Sequence, residues 1–277
     1  MASLGPTRRH TVAVGDATVS YAVDGAGPGL VLVHGAGGSA DGNWAHLVDG
    51  FASDRTVVRP DYAGSGDTRD HGDQLELDEL VAQVAAAAED AGAVPFDLVG
   101  FSLGAAVAAS LAAQRADLVR SLVLLGGFAS TTADARSQVQ FSLWRRLFDT
   151  DRDVLARLGV LTGFSPAFLG GMTPSELEEA IAEGARSMPP GMGRQADLDL
   201  RVDITAQLAS ISAPTLVIGQ TRDHIVPVEL SRALHAAIPG AGYAELDTGH
   251  LGLLEQPDLV AATIRKFLER KRFCVGG

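Results

Sequence analysis

Five residues, Gly100-Phe101-Ser102-Leu103-Gly104, constrain this chain more than any others. They follow a mostly apolar run, Phe96 to Val99, and open a segment of small residues in helical pattern, Ala105 to Ala113. That context puts the serine on a turn between a buried strand and a helix. Glycines two positions to either side remove Cβ atoms that would collide with the strand or the helix, so the turn can be tight and the hydroxyl projects above a sheet. A Gly-flanked serine that caps a helix is the plainer alternative.

The rest of the chain supplies the sheet. Val19 to Val23 alternates as a half-buried strand does, Asp24 to Gly29 is a Gly/Pro turn, and Leu30 to Val33 is continuously apolar. Arg55 to Arg59 brackets Thr56, Val57 and Val58; Leu122 to Leu125 and Thr215 to Ile218 are further short apolar runs. Helical patterns lie between and around them, at Asn43 to Phe51, Leu75 to Ala91, Leu103 to Gln114, Val228 to Ile238 and Pro257 to Lys271. Strands alternating with helices predict an α/β fold, a mostly parallel sheet covered on both faces.

The alternation stops between Phe128 and Val202. Helical patterns occur there at Ser137 to Phe148, Asp151 to Leu158 and Pro174 to Arg186, with Pro166, Pro174, Pro189 and Pro190 and no clear strand. The expected organisation is a core over residues 1–127 and 203–277 with a helical cap inserted at 128–202. An ordinary continuation of the core with longer helices is the alternative.

Composition narrows the function. A net charge of -12 argues against a nucleic-acid groove, which needs clustered Lys and Arg. The basic clusters Arg8-Arg9 and Arg270-Lys271-Arg272 read as solvated ends. The single cysteine, Cys274, excludes an internal disulfide and a cysteine metal cage. Met1 to His10 has no apolar leader, and Leu98 to Gln114 and Ile204 to Thr221 are interrupted by Gly, Ser or Pro, so the expectation is a cytoplasmic protein without a membrane span. His10, His46, His71 and His235 show no ligand spacing, and no metal is implied. Monomer and homodimer both fit.

A serine alcohol becomes a nucleophile when an imidazole takes its proton, and a carboxylate fixes that imidazole's tautomer. Downstream of Ser102, Asp223 follows Leu216-Val217-Ile218-Gly219, and His250 lies in Asp247-Thr248-Gly249-His250 after the strand-like Tyr243 to Leu246. Ser102, Asp223, His250 is the chain order that goes with this serine turn. Asp247, close to His250 in sequence, and Asp203 or Asp197, from the cap, are the other candidates for the acid. His224, next to Asp223, is expected to be solvated. Gly35-Ala36-Gly37-Gly38-Ser39-Ala40 also matches a dinucleotide fingerprint, with Asp61 as its ribose ligand, but that reading explains neither the serine turn nor the downstream Asp and His.

With these motifs in hand, nearly the whole chain resembles the α/β-hydrolase fold family. Beside the G-x-S-x-G nucleophile elbow it has His34-Gly35-Ala36-Gly37 after an early strand. Asp61-Tyr62-Ala63-Gly64-Ser65-Gly66 is similar to the family's D-x-x-G-x-G loop, and Gly249-His250 to its terminal G-H. The resemblance implies Ser102 as nucleophile, His250 as base and then acid, and Asp223 as orienting carboxylate. An oxyanion hole needs two N–H groups where negative charge develops. Leu103, the residue after the nucleophile, is one donor, and the resemblance places the other at Ala36. His34 is expected to hold its loop by hydrogen bonds.

The inserted region carries apolar side chains of two fates, its own core and the roof of a pocket; Phe141, Trp144, Phe148, Phe164 and Met188 are the pocket candidates. Arg145 and Arg146 are expected on a solvated helix face. The expected activity is therefore a cofactor-independent serine hydrolase, with an acyl-serine intermediate, acting on a small, largely apolar ester or lactone. The resemblance also admits carbon-carbon bond hydrolysis of a diketone, thioesterase or perhydrolase chemistry. A ligand-binding protein, a cyclase or a lyase in the same pocket is the rival of another class.

Overall fold

The computed structural model describes residues 7–270; Cys274 and the Lys271-Arg272 part of the terminal basic cluster lie outside the described residues. Eight strands form one sheet: β1 (Arg8–Val14), β2 (Ala17–Gly25), β3 (Gly29–Val33), β4 (Thr56–Asp61), β5 (Phe96–Phe101), β6 (Val119–Leu125), β7 (Thr215–Gln220) and β8 (Gly242–Leu246). Their spatial order is β1-β2-β4-β3-β5-β6-β7-β8. β2 runs antiparallel to both β1 and β4, and every pair from β4 to β8 is parallel.

Parallel strands need crossovers, and helices supply them. Around the sheet are α1 (Ala40–Trp44), α2 (Val48–Ala52), α3 (Leu77–Asp90), α4 (Leu103–Gln114), α10 (Val228–Ala237), α11 (Gly252–Glu255) and α12 (Pro257–Arg270). Between β6 and β7 come α5 (Ala135–Thr150), α6 (Arg152–Gly163), α7 (Pro166–Gly170), α8 (Pro174–Ser187) and α9 (Met192–Asp199). Side-chain alternation along each strand divides the core. Val31, Val33, Leu98, Leu122 and Leu124 meet α3, α4 and α10, whereas Leu30, Leu32, Val99, Val123 and Leu125 meet α1, α2 and α12. Full burial of each such side chain contributes about 2 kcal/mol against the exposed chain.

Sequence and structure part company in several places. The helix expected over Asn43 to Phe51 is broken into α1, a 3₁₀ turn at Ala45–Leu47 and α2. Arg8 and Arg9 belong to β1, which the polar edge sequence hid, and Arg9 pairs with Asp41 and, at 3.5 Å, with buried Asp61. α9, between the Pro189-Pro190 pair and Val202, carried no recognised pattern because two turns of helix are too short for a periodicity to stand out.

The two ends of the β6–β7 insertion close on each other. Ser130 bridges Asp203, the Ile204 N–H donates to the Ala129 carbonyl at 2.8 Å, and the Thr131 N–H donates to the Val202 carbonyl at 3.2 Å. Among the described residues no helix is long and apolar enough to cross a membrane.

Candidate active site

β5 ends in Phe101, and the next residue turns sharply into α4. Ser102 has φ 56° and ψ −122°, the one described non-glycine residue at positive φ. Such a conformation costs on the order of 1–3 kcal/mol and persists when the surroundings over-determine it. Here the Ser102 N–H donates to the Leu125 carbonyl at 3.0 Å, and its own carbonyl accepts from the Ala105 N–H at 2.8 Å. A Cβ on Gly100 would enter the Gly104 carbonyl, and one on Gly104 would enter the carbonyls of His34 and Val33. Both glycines are required by close backbone approach. Although it occupies the cap position of α4, the Ser102 side chain makes no capping bond.

Its hydroxyl faces an imidazole instead. His250 Nε2 stands 3.0 Å from Ser102 Oγ, and His250 Nδ1 stands 2.6 Å from Asp223 Oδ2. The other Asp223 oxygen accepts the N–H groups of Ile225 at 2.8 Å and Val226 at 2.7 Å, which fixes the carboxylate. All three residues are buried. The other acids weighed for this position are engaged elsewhere: Asp247 with Arg222, Asp203 with Thr205, and Asp197 with Arg145 and Arg201. Asp61 supports Ala40 N–H at 2.7 Å and lies against the Gly66 turn, so the carboxylate of the dinucleotide reading is occupied inside the protein.

Neighbours that sequence reasoning missed fix the imidazole. Gln220, at the end of β7, donates to the carbonyls of Gly249 and, at 2.7 Å, of His250. The ring of Phe101 lies 4.9 Å from that of His250, centroid to centroid. Glu255 accepts from the Gly249 N–H at 3.1 Å and from the Ser165 N–H at 2.5 Å, and the Leu251 N–H donates to the Gly163 carbonyl at 2.8 Å. The α6–α7 junction thus clasps the His250 loop.

The loop after β3 is fixed residue by residue. The Gly35 N–H donates to Asn43 Oδ1 at 2.9 Å, the Gly37 N–H to Gln195 Oε1 at 2.8 Å, and the Gly38 N–H to the Gly35 carbonyl at 3.2 Å. The N–H of Ala36 is left with no acceptor among the described residues. Gly35 lies directly against the Ser102 turn: a Cβ there would stand 3.0 Å from Ser102 Cβ. The Leu103 N–H opens α4, where it has no carbonyl one turn earlier in the helix to accept it. His34 is buried, bonds to the Gly35 carbonyl through Nδ1 at 2.8 Å and stacks on Tyr62 at 3.8 Å; burial lowers its pKa, so the ring is neutral. Tyr62 donates to the His34 carbonyl at 3.0 Å.

Gln195, wholly buried on α9, ties the insertion to this loop. Besides accepting from Gly37, it donates through Nε2 to the Ala63 carbonyl at 3.2 Å and to Ser65 Oγ at 2.9 Å. Met192, one turn earlier, covers Gly37. A buried Gln in a short polar segment gives no signal in sequence, because its value lies in partners more than a hundred positions away.

The apolar candidates separate into two groups. Phe141 packs on Phe128 and, edge-on, on Trp144, at 6.3 and 5.6 Å. Phe148 packs on Gly193 beneath the Arg152 guanidinium, and Met188 adjoins the same cluster. Phe164 stacks on Phe168 in a separate small core with Ala156, Val160 and Ile181. Arg145 and Arg146 are exposed, and Arg145 pairs with Asp197 at 3.4 Å. His224 is exposed, with its carbonyl accepting from Arg136.

Known proteins share this arrangement of elements. The chain is 51% identical over 260 residues to a pyrrolizixenacetamide deacetylase of Xenorhabdus hominickii, a match spanning 94% of this chain and 97% of the relative. The crystal structure of a hydrolase from Pseudomonas aeruginosa PA01 superposes with a TM-score of 0.82 at 25% identity, over 94% of this chain and 98% of that one. That of the enol-lactonase from Burkholderia xenovorans LB400 superposes with a TM-score of 0.83 at 23% identity, over 94% and 100%, a likeness of fold. The profile described as alpha/beta hydrolase fold matches residues 28–257. Elbow, sheet order and profile agree, and this chain is a hydrolase that belongs to the α/β-hydrolase fold family.

Proposed function

We propose that this protein is a serine hydrolase that removes a small acyl group, acetyl foremost, from the nitrogen of an amide. The observation that carries the reading is the unbroken chain Ser102 Oγ, His250 Nε2, His250 Nδ1, Asp223 Oδ2, with separations of 3.0 and 2.6 Å inside the protein. The relative that is 51% identical and named for deacetylation of an acetamide supports the choice of bond.

In this reading Ser102 Oγ attacks the carbonyl carbon while its proton passes to His250 Nε2. The oxyanion takes the N–H groups of Leu103 and Ala36, each worth about 3 kcal/mol of barrier in comparable sites. Asp223 remains ionised and stabilises the imidazolium. Collapse breaks the C–N bond, and His250 gives its proton to the departing amine. Water then attacks the acyl-serine, its proton going to His250, which returns it to Ser102 Oγ as the C–O bond to Ser102 breaks and the acid leaves. An ester or a lactone follows the same steps with an alcohol leaving. Helices α5–α9, with residues 128–202 as the unit, serve as a lid that excludes water from these steps.

Intact-mass spectrometry after a fluorophosphonate, run beside turnover of N-acetylated amines and short p-nitrophenyl esters, tests the reading. One adduct on the wild type, absent in Ser102→Ala, with release of free amine, is the expected result. A well-folded wild type that takes no label and releases no amine overturns it.

A further inference from the structure

His250 is bracketed in the chain by two residues that both lie against the β6–β7 insertion. Gly249 meets it backbone to backbone: a Cβ there would stand 2.5 Å from the Ser165 nitrogen and 2.6 Å from the Gly163 carbonyl oxygen. Leu251 donates its N–H to that same Gly163 carbonyl at 2.8 Å, and its side chain packs against the small core of Ala156, Val160, Phe164 and Ile181. The imidazole between them reaches the other way, to Asp223 and Ser102. The backbone that carries the ring is thus held by the insertion on both sides.

One side chain spans the two partners. α11 turns back over the loop, with the Gly252 N–H donating to the Gly249 carbonyl at 3.1 Å and the Glu255 N–H to the Leu251 carbonyl at 3.0 Å. This turn brings Glu255 Oε1 to the crossing, where it accepts the Gly249 N–H at 3.1 Å and the Ser165 N–H at 2.5 Å. The first donor belongs to the loop of His250 and the second to the α6–α7 junction. A carboxylate accepts such bonds more strongly than a neutral carbonyl does. Parting of the junction from the loop breaks the Ser165 and Gly163 bonds together, one on each side of His250.

We propose that Glu255 is a positioning residue that couples the base to the insertion: it holds His250 in line with Ser102 and Asp223 only while the α6–α7 junction is seated. A base must stand within hydrogen-bond reach of the proton it takes, and misplacement by about 1 Å costs on the order of a hundredfold in rate. Alignment of the base and closure of the insertion are thereby one event, and Ser102 is activated only once the site is covered. The inference rests on the proposed serine mechanism, in which His250 is the base.

The test compares wild type with Glu255→Ala, Glu255→Gln, Ser165→Pro and Ser165→Ala. Glu255→Gln keeps an acceptor oxygen for both N–H groups. Ser165→Pro removes the N–H where the backbone suits proline, since Ser165 has φ −69° and Phe164 before it has ψ 152°, and Ser165→Ala controls for the lost cap of α7. Two readouts are taken per folded molecule, as judged by urea melts. One is the rate of fluorophosphonate labelling; the other is the far-downfield proton resonance of the His250 Nδ1–Asp223 bond, assigned by its loss in His250→Ala.

Glu255→Ala is expected to label about tenfold to a hundredfold more slowly and to lose the resonance, Glu255→Gln to stay within about threefold of wild type, and Ser165→Pro to fall about tenfold below Ser165→Ala. Wild-type labelling and an unmoved resonance in Glu255→Ala, whatever its melting point, overturn the inference, as does a Glu255→Gln as slow as Glu255→Ala. A Ser165→Pro that matches Ser165→Ala also overturns it, since the insertion then does not hold the base. A wild type that takes no label removes the serine mechanism instead, and the resonance then decides the coupling by the same comparisons.

Discussion

Gln195 Oε1 accepts the backbone N–H of Gly37 at 2.8 Å, although 158 positions separate the two residues. Ala36, whose N–H is the one left free in that loop, is thereby held between a bond from Asn43 and a bond from the β6–β7 insertion. Positioning of the Ala36 N–H is coupled to seating of α9. Gln195→Leu is expected to lower kcat by about tenfold to a hundredfold with a smaller change in KM, because the lost bond orients the Ala36 N–H, which in the proposed reaction acts in the transition state. Gln195→Glu, which keeps the acceptor but loses the donors to Ala63 and Ser65, is expected to recover part of kcat. Steady-state kinetics of the two variants check this; equal proportional changes in KM for both would point to a purely structural role.

Ser102→Ala and His250→Ala are each expected to lower kcat/KM by at least about a thousandfold at unchanged fold, and Asp223→Asn by about ten thousandfold. Asp223→Ala adds a stability loss of about 1–3 kcal/mol, because the buried N–H groups of Ile225 and Val226 lose their acceptor. Circular dichroism and urea melts of the same preparations separate the two effects.

Gly35→Ala is expected to fold and to lose activity. Its new methyl would stand 3.0 Å from Ser102 Cβ and 3.2 Å from the Phe101 ring, which can give by a few tenths of an ångström, so Ser102 moves while the sheet survives. Gly104→Ala has no such outlet, since its methyl would meet backbone carbonyls, and soluble folded protein is expected to fall sharply. Thermal melts set beside fluorophosphonate labelling distinguish them.

Acid lability is expected to trace in part to Asp97. Burial works against its ionisation, but bonds from Arg120, Ser121 and Arg55 overcome that and hold its pKa below the ordinary 3.8. A carboxyl depressed in the folded state stabilises fully above its unfolded value, and that contribution is lost as pH falls below 3.8 through the folded value. Asp97→Asn is therefore expected to be less stable than wild type at neutral pH, with the gap narrowing below that point. Urea midpoints across pH 7 to about 3 read this directly.

Local chemistry made much of this protein legible from its sequence. Apolar runs gave away β3, β5, β6 and β7, because strands buried on both faces admit few polar residues, and the glycines at 100 and 104 mark a strand-turn-helix too tight for a Cβ at either position. Asp223 and His250 were readable because each follows a strand and so stands at the same edge of a parallel sheet. Edge strand β1 and helix α9 were not readable, the first for its charge and the second for its brevity. Only the tertiary structure decided which buried polar side chains serve the site. Gln195, Gln220 and Glu255 take their meaning from hydrogen bonds to backbone far along the chain, and no local periodicity encodes a partner that folding alone brings near.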